Sequence, residues 1–200
     1  MRQKEIGTMQ IAELYKGCRT YRRFTQKPVQ ASLVRELVDV ARQRSCGRNT
    51  QMLRYVAVTS PENVKALQPL LHWAAALPRE IGTPKEGEQP TALIVVTKLK
   101  GANPIISNID LGIALDAMAI TAWQQGVGSA ILAAVDRKKI AALLELPEDQ
   151  EVNVVLALGY PGHRSTMVPA REGGSLDYYV DEKRDYYVPK LPLAAVLTEK

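Results

Sequence analysis

The stretch from Ile105 to Trp123 constrains this chain more than any other. It is apolar on nearly every side at helical spacing, and a helix of that kind has little surface to give to water. Asn108, Asp110 and Asp116 interrupt it, whereas a membrane span needs about 20 almost unbroken apolar residues. The expectation is a helix over about Ile106 to Gln125, buried at the centre of a soluble, cytoplasmic protein. At 200 residues the chain suits one domain, 1–200, with a real core and no need of metal or disulfide staples.

The segments that would cover such a helix can be read around it. Thr91 to Thr97 (TALIVVT) and Val152 to Leu158 are short, apolar and β-branched, as strands buried on both faces are. Tyr55 to Thr59 and Ser129 to Ala133 read as further strands. Leu33, Leu37, Val40 and Ala41 recur on one face of a helix over Ala31 to Gln43. Thr8 to Lys16 reads as a helix closed by Gly17, Pro61 opens another that runs to about Leu71, and Arg137 to Leu144 forms a fourth. Pro78 to Pro90 holds Gly82, Pro84 and Gly87 among charges and reads as a loop. Residues 160–200 are rich in Tyr, Pro and charge with little periodicity. That is too long for an ordinary loop, so this tail is expected to wrap the core or a partner subunit. The sum is an α+β layered architecture, helices packed about a sheet.

Several common chemistries are excluded. The net charge of +5 is scattered, and the densest basic run is Arg19 to Arg23. Nucleic-acid binding calls for clustered cations interleaved with stacking aromatics, so no such partner is expected. Cys18 and Cys46 make no zinc pattern and no CxxC, and read as reduced thiols. Met1 to Gly17 holds no apolar stretch of signal-peptide length. His72 and His163 read as surface or loop histidines, leaving no Ser/His/Asp or Cys/His set. Gly126-Val127-Gly128 begins like a dinucleotide fingerprint, but Ile131 fills the third glycine's place and the run precedes a strand. A sizeable core with few catalytic side chains fits an enzyme whose cofactor carries the chemistry. A binding module would look the same by this test.

Two segments are more specific. One is Cys18-Arg19-Thr20-Tyr21-Arg22-Arg23-Phe24, followed by Pro28-Val29. The other closes the next helix, Ala41-Arg42-Gln43-Arg44-Ser45-Cys46-Gly47-Arg48-Asn49-Thr50-Gln51. Together they resemble the opening of the nitroreductase family, with its R-S-x-R-x-F segment and its A-R-x-A-P-S-x-x-N-x-Q segment. Later runs resemble that family in order: Asn108 to Ala114, Gln125 to Ser129, Asp136 and Leu146-Pro147, then Ala157-Leu158-Gly159-Tyr160-Pro161 and Arg171. The family's Pro-Ser is here Ser45-Cys46, its Pro-Trp is Met52-Leu53, and Ala133 stands where well-known members have a glutamate.

The resemblance implies a nitroreductase-like fold, a central mixed sheet flanked by helices, in an intertwined homodimer with FMN at the interface. It also implies an oxidoreductase in which NAD(P)H gives a hydride to flavin N5 and a nitroaromatic, quinone or similar acceptor then takes it up. Flavin reduction, reductive dehalogenation and oxidative breakdown of flavin use the same scaffold, and an FMN-binding protein without turnover is the alternative outside enzymes. For the FMN phosphate the matching residues are Arg19, Arg171 and Thr20, since a guanidinium donates two parallel charge-assisted hydrogen bonds. Arg22 would approach the N1/C2 edge of the ring and stabilise charge gained on reduction. Asn49 both donates and accepts, as that edge requires, and reads equally well as a turn residue. Leu132, Ala133 and Ala134 would meet the ring through their backbone. Cys46 would stand beside the cofactor as a small residue in serine's place, with no resolving cysteine near it in sequence. Tyr178, Tyr179, Tyr186 and Tyr187 read as anchors for the tail or as substrate contacts.

Overall fold

The structure, a computed structural model, describes residues 11–200. Its frame is a four-stranded sheet in the order β1-β2-β4-β3, built from β1 (Leu53–Val58), β2 (Ala92–Leu99), β3 (Gly128–Leu132) and β4 (Gln150–Gly159). Every neighbouring pair is antiparallel, and the parallel contact of a mixed sheet comes from the bridge of Thr20 to Ser129 on the β3 edge. Six consecutive residues of β2 are buried, which explains its unbroken apolar run: both of its faces are covered.

One face carries α2 (Ala31–Arg42) and α5 (Pro104–Gln124). Leu33, Val34 and Leu37 of α2 meet Leu111, Ala114, Leu115 and Met118 of α5 over Ile94, Val96, Val154 and Leu156. Burying a leucine such as Leu37, which has no exposed surface, stabilises the fold by about 1.5–3 kcal/mol. The other face carries α3 (Pro61–Leu67) and α6 (Arg137–Leu143), with Val64, Leu67 and Ile140 packed on Leu93, Val95 and Val155. Val152 belongs to this second core and Val154 to the first, although strand alternation would put them on one face. A β-bulge is the cause. The partner of β2 jumps from Val154 to Val152 between Val96 and Thr97, and one extra residue reverses the phase.

The central helix begins at Asn103, whose side chain accepts from the Ile105 and Ile106 amides at 3.0 and 3.1 Å, with Pro104 in the first turn. It is followed by Gly126 at φ 75°, a left-handed position where glycine carries no side-chain penalty. By length and composition α5 is long and apolar enough to cross a membrane. Its buried side packs into the first core, while Ile105 and Ile109 remain 73 and 59 % exposed.

The structure departs from the sequence reading in several places. α1 spans Ile11–Gly17; the expected start at Thr8 lies outside the described residues. The run expected as one helix from Pro61 to Leu71 breaks into α3 and a 3-10 turn at Gln68–Leu70, because Pro69 cannot donate to a continuing helix. The loop from Pro78 to Pro90 contains a one-turn helix, α4 (Arg79–Gly82). The aperiodic tail holds three strands, β5 (Ser165–Pro169), β6 (Tyr179–Val180) and β7 (Tyr186–Lys190), ordered β5-β7-β6. The first pair is parallel and the second antiparallel. These strands lie on the surface and their residues face mixed surroundings, so no clean alternation marks them.

Candidate functional site

The segment Cys18 to Phe24 runs across the β3 edge. Thr20 bridges Ser129, and the Tyr21 amide donates to the Ser129 carbonyl at 2.8 Å. Glycines let it lie close: a Cβ on Gly128 would meet the Tyr21 ring at 2.7 Å, and one on Gly159 would meet the Phe24 ring at the same distance. Beside this segment opens a cleft of about 340 Å³, walled by Cys18, Arg19 and Thr20, by Gly112, Leu115, Asp116 and Ala119 of α5, by Ser129 and Ile131 of β3, and by Val188 and Lys190 of β7. Arg19 Nη2 donates to the Tyr15 carbonyl at 2.7 Å. Arg19 Nε is buried and has no hydrogen-bond partner. Tyr15 donates to Asp116 at 2.8 Å, and that bond and charge raise its pKa. Burial raises the Cys18 thiol, so it stays protonated near neutrality.

Arg22 and Arg23 leave the segment on the tail side. The Arg22 guanidinium lies over the Tyr178 and Tyr186 rings, 4.3 and 5.0 Å from their centroids. Arg23 is buried, donates to the Arg184 carbonyl, and lies 3.7 Å from Glu88, which Arg184 meets at 2.9 Å. Burial alone would raise Glu88; the Lys85 amide and the Arg184 and Arg23 cations outweigh it and hold the carboxyl below its ordinary range. His163 corrects the sequence reading. It is a buried ring, not a surface one, because Tyr21 and Tyr186 close over it at 5.4 and 4.6 Å between centroids. Burial, with Arg23 and Arg22 adding to it, pushes its pKa down to about 4. His72 is exposed and sits 3.2 Å from Asp136.

The second motif segment lines a different cleft, of about 220 Å³, with Cys46, Gln51, Met52 and Tyr55 against Asp110 and Ala114. The Gly47 amide donates to Asp110 at 2.8 Å, which pins the segment to α5. Asn49 Oδ1 lies 3.9 Å from the Cys46 thiol. Arg48, Asn49 and Gln51 all hold positive φ, at 54, 53 and 49°. Left-handed non-glycine residues are costly and gather where a site demands a particular backbone.

Leu132, Ala133 and Ala134 occupy a third place, at the end of β3. Leu132 is buried and the two alanines are exposed. The Ala133 carbonyl accepts from Arg137 and the Ala134 carbonyl from the His72 amide, both at 3.0 Å. Arg171 is exposed on the turn just past β5. One chain therefore gathers Arg19 and Thr20 in one cleft and Cys46 in another, and does not merge them. Asp110 and Asp116 mark the two clefts on α5, about 9 Å apart along its axis and roughly 120° around it. Sequence reasoning missed Ser129 and Lys190 in the first cleft. The position of Lys190 depends on the register that pairs it with Pro169, which no local pattern announces.

The profile of the nitroreductase family matches residues 15–160, and no curated protein sequence gives a significant match. Among solved structures the chain is similar to a nitroreductase family protein from Clostridium difficile 630, at 20 % identity over 95 % of this chain and 98 % of that one, with a TM-score of 0.67. It is similar to a putative nitroreductase from Desulfovibrio desulfuricans in complex with FMN, at 18 % identity over 96 and 98 % of the two chains and a TM-score of 0.66. It is also similar to an oxidized iodotyrosine deiodinase bound to FMN and 3-iodo-L-tyrosine, at 20 % identity over 82 and 96 % and a TM-score of 0.65. At these identities the likeness establishes the fold. The family match runs through both motif segments, the central helix and the strand exit at Gly159-Tyr160, and on that ground the chain belongs to the nitroreductase family.

Proposed function

We propose that this chain, a single domain over 1–200, binds FMN and acts in the cytoplasm as an NAD(P)H-dependent oxidoreductase on a nitroaromatic, quinone or similar small acceptor. The observation that carries the reading is the Arg19 side chain. Its Nε is a buried donor without a partner, beside a cleft whose lining also includes Thr20, Ser129 and Lys190. A buried unpaired donor is costly, and a phosphate oxygen answers it with a charge-assisted bond. The donor set therefore fits FMN. Arg19, Thr20 and Lys190 would hold the phosphate, with Arg171 approaching from the turn beyond β5. Arg22 would serve the ring edge, and Cys46, Asn49 and the backbone of Leu132 to Ala134 the rest of the ring. FMN supplies two-electron chemistry; the protein binds, orients and excludes competing reactions.

The working unit is proposed to be a homodimer. Ile105, Ile109, Gly112 and Asp116 form one exposed stripe of α5, and Leu193 and Val196 of the tail are 70 and 67 % exposed. A second copy would cover this surface and unite clefts that one chain keeps apart. Likeness to the deiodinase supports a second reading, reductive dehalogenation of an aromatic substrate. Mass spectrometry of the cofactor released by heat tests the first claim: FMN supports it, and FAD, or no flavin even after reconstitution, overturns it. An anaerobic screen of nitro compounds, quinones and iodoaromatics, followed as NAD(P)H oxidation, then decides between the two reactions. Light scattering that finds a flavin-loaded monomer at micromolar concentration would refute the dimer.

A further inference from the structure

His163 stands four residues past the end of β4, and its ring makes two hydrogen bonds of opposite sense. The Arg22 amide donates to Nε2 at 3.0 Å, and Nδ1 lies 2.7 Å from the Arg164 carbonyl. An amide can only donate and a carbonyl can only accept. The hydrogen is therefore on Nδ1, Nε2 is bare, and one neutral tautomer satisfies both partners. The ring is also the middle of an aromatic column. Trp123 stacks on Tyr21 at 5.2 Å, Tyr21 meets His163 at 5.4 Å, and His163 meets Tyr186 at 4.6 Å. The column joins the end of α5, the Cys18–Phe24 segment and the tail. Tyr186 is shared: it packs on His163 and also lies under the Arg22 guanidinium. The main chain of Arg22 is thus held by His163, and its side chain in part by Tyr186, which also holds His163.

We propose that His163 is a positioning residue for the flavin site: it fixes the backbone at Arg22 through its bare nitrogen, and so sets how tightly flavin binds and at what potential it is reduced. The proposal rests on the FMN reading above. Hydrogen bonding and stacking can be separated at this position. Phenylalanine keeps a ring between Tyr21 and Tyr186 but orphans the Arg22 amide and the Arg164 carbonyl. Glutamine lacks the ring yet offers one acceptor and one donor.

The test compares full-length wild type, His163→Phe and His163→Gln, with Val64→Ala as a control that weakens the second core from the α3 side. FMN affinity is read from the return of free-flavin fluorescence on dilution, the midpoint potential from redox titration, and folding from circular dichroism and thermal unfolding. His163→Phe is expected to weaken FMN binding at least tenfold and to move the potential. His163→Gln should stay within about threefold of wild type. Val64→Ala should lower the unfolding temperature without either change. The proposal is overturned if His163→Phe binds and tunes FMN as wild type does, or if Val64→Ala weakens FMN equally. Should the phenylalanine variant not fold, nitrogen NMR of wild-type His163 decides: an Nδ1–H tautomer whose ring signals move on FMN binding supports the proposal, and signals indifferent to FMN overturn it. A wild type that binds no FMN would remove the FMN reading and this proposal with it, whereas an unaltered His163→Phe removes this proposal alone.

Discussion

Lowering the pH from neutrality to about 5 should destabilise the folded chain through His163, and substitution of that residue should remove the effect. Burial is the largest cause of its low pKa, with the Arg23 and Arg22 cations adding to it; the Arg164 carbonyl and Asp185 pull the other way, and the net result is about 4 against an ordinary 6.5. Tyr21 and Tyr186, the remaining groups against the ring, are neutral throughout this range, since burial raises both. Between pH 6.5 and 4 the unfolded chain holds a proton on this ring and the folded chain does not. Stability therefore rises with pH across that window: the contribution is complete above the upper value and is lost as pH falls toward the lower one. A gap of roughly 2.5 pH units at about 1.4 kcal/mol each gives about 3 kcal/mol over the whole window, and about 2 kcal/mol by pH 5. Carboxylates titrate as well, so the quantity to measure is a difference of differences. Wild type and His163→Gln are unfolded in guanidinium at neutral pH and near pH 5, and the acid loss of one is subtracted from that of the other. Wild type should lose about 2 kcal/mol more, or roughly 4–8 °C in thermal midpoint for a chain of this size. Equal losses in the two proteins would refute the picture of a ring held neutral by burial.

Arg19→Gln should weaken FMN binding yet leave near-normal chemistry once the cofactor is reloaded, whereas Arg22→Gln should lower the flavin midpoint potential and slow reduction by NAD(P)H by about 10²–10³, the scale for losing one preorganised donor; stopped-flow reduction and redox titration of both variants check this, and an unchanged potential in Arg22→Gln would place that guanidinium away from the ring. Cys46→Ser should keep turnover within about tenfold of wild type, because the thiol stands in serine's place; a larger loss, above about 1.4 kcal/mol of barrier, would mean that it takes part in the chemistry. Gly159→Ala sets a methyl group 2.7 Å from the Phe24 ring and should cost about 1–3 kcal/mol by overpacking, read as a lower unfolding midpoint.

Local pattern carried much of the fold. The apolar periodicity of Leu33 and Leu37 placed α2, the β-branched runs placed β2 and β4, and the two motif segments pointed to the family. What stayed out of reach depends on contacts distant in sequence. The bulge opposite Val96 reverses the facing of Val152, and nothing in the run Val152-Asn153-Val154 distinguishes it from regular alternation. His163 is buried because Tyr21 and Tyr186 converge on it, and a histidine after a Gly-Tyr-Pro-Gly turn otherwise reads as loop. The parallel pairing of β5 with β7 spans an intervening turn and strand, so the position of Lys190 could not be read from its neighbours. The motifs identified Arg19 and Cys46 as candidates but not their separation, which follows from the two sides of α5 that they touch.

The anchors of the Cys18–Phe24 segment have a consequence for the order in which the protein is made. The Arg22 amide finds its acceptor 141 residues later in the chain, and the Arg23 guanidinium 161 residues later. A ribosome releases the segment early and its partners late. Helix α2 can meet β1 and β2 while synthesis continues, but the arginine segment meets Glu88 and Trp123 first and completes its anchorage only when Ser129, His163 and at last Arg184 have emerged. Contacts that span so much of the chain form slowly and after local ones. A nascent chain stopped short of Arg184 would carry the arginines with their final anchor missing, so this segment reaches its full set of contacts only after Arg184 has left the ribosome.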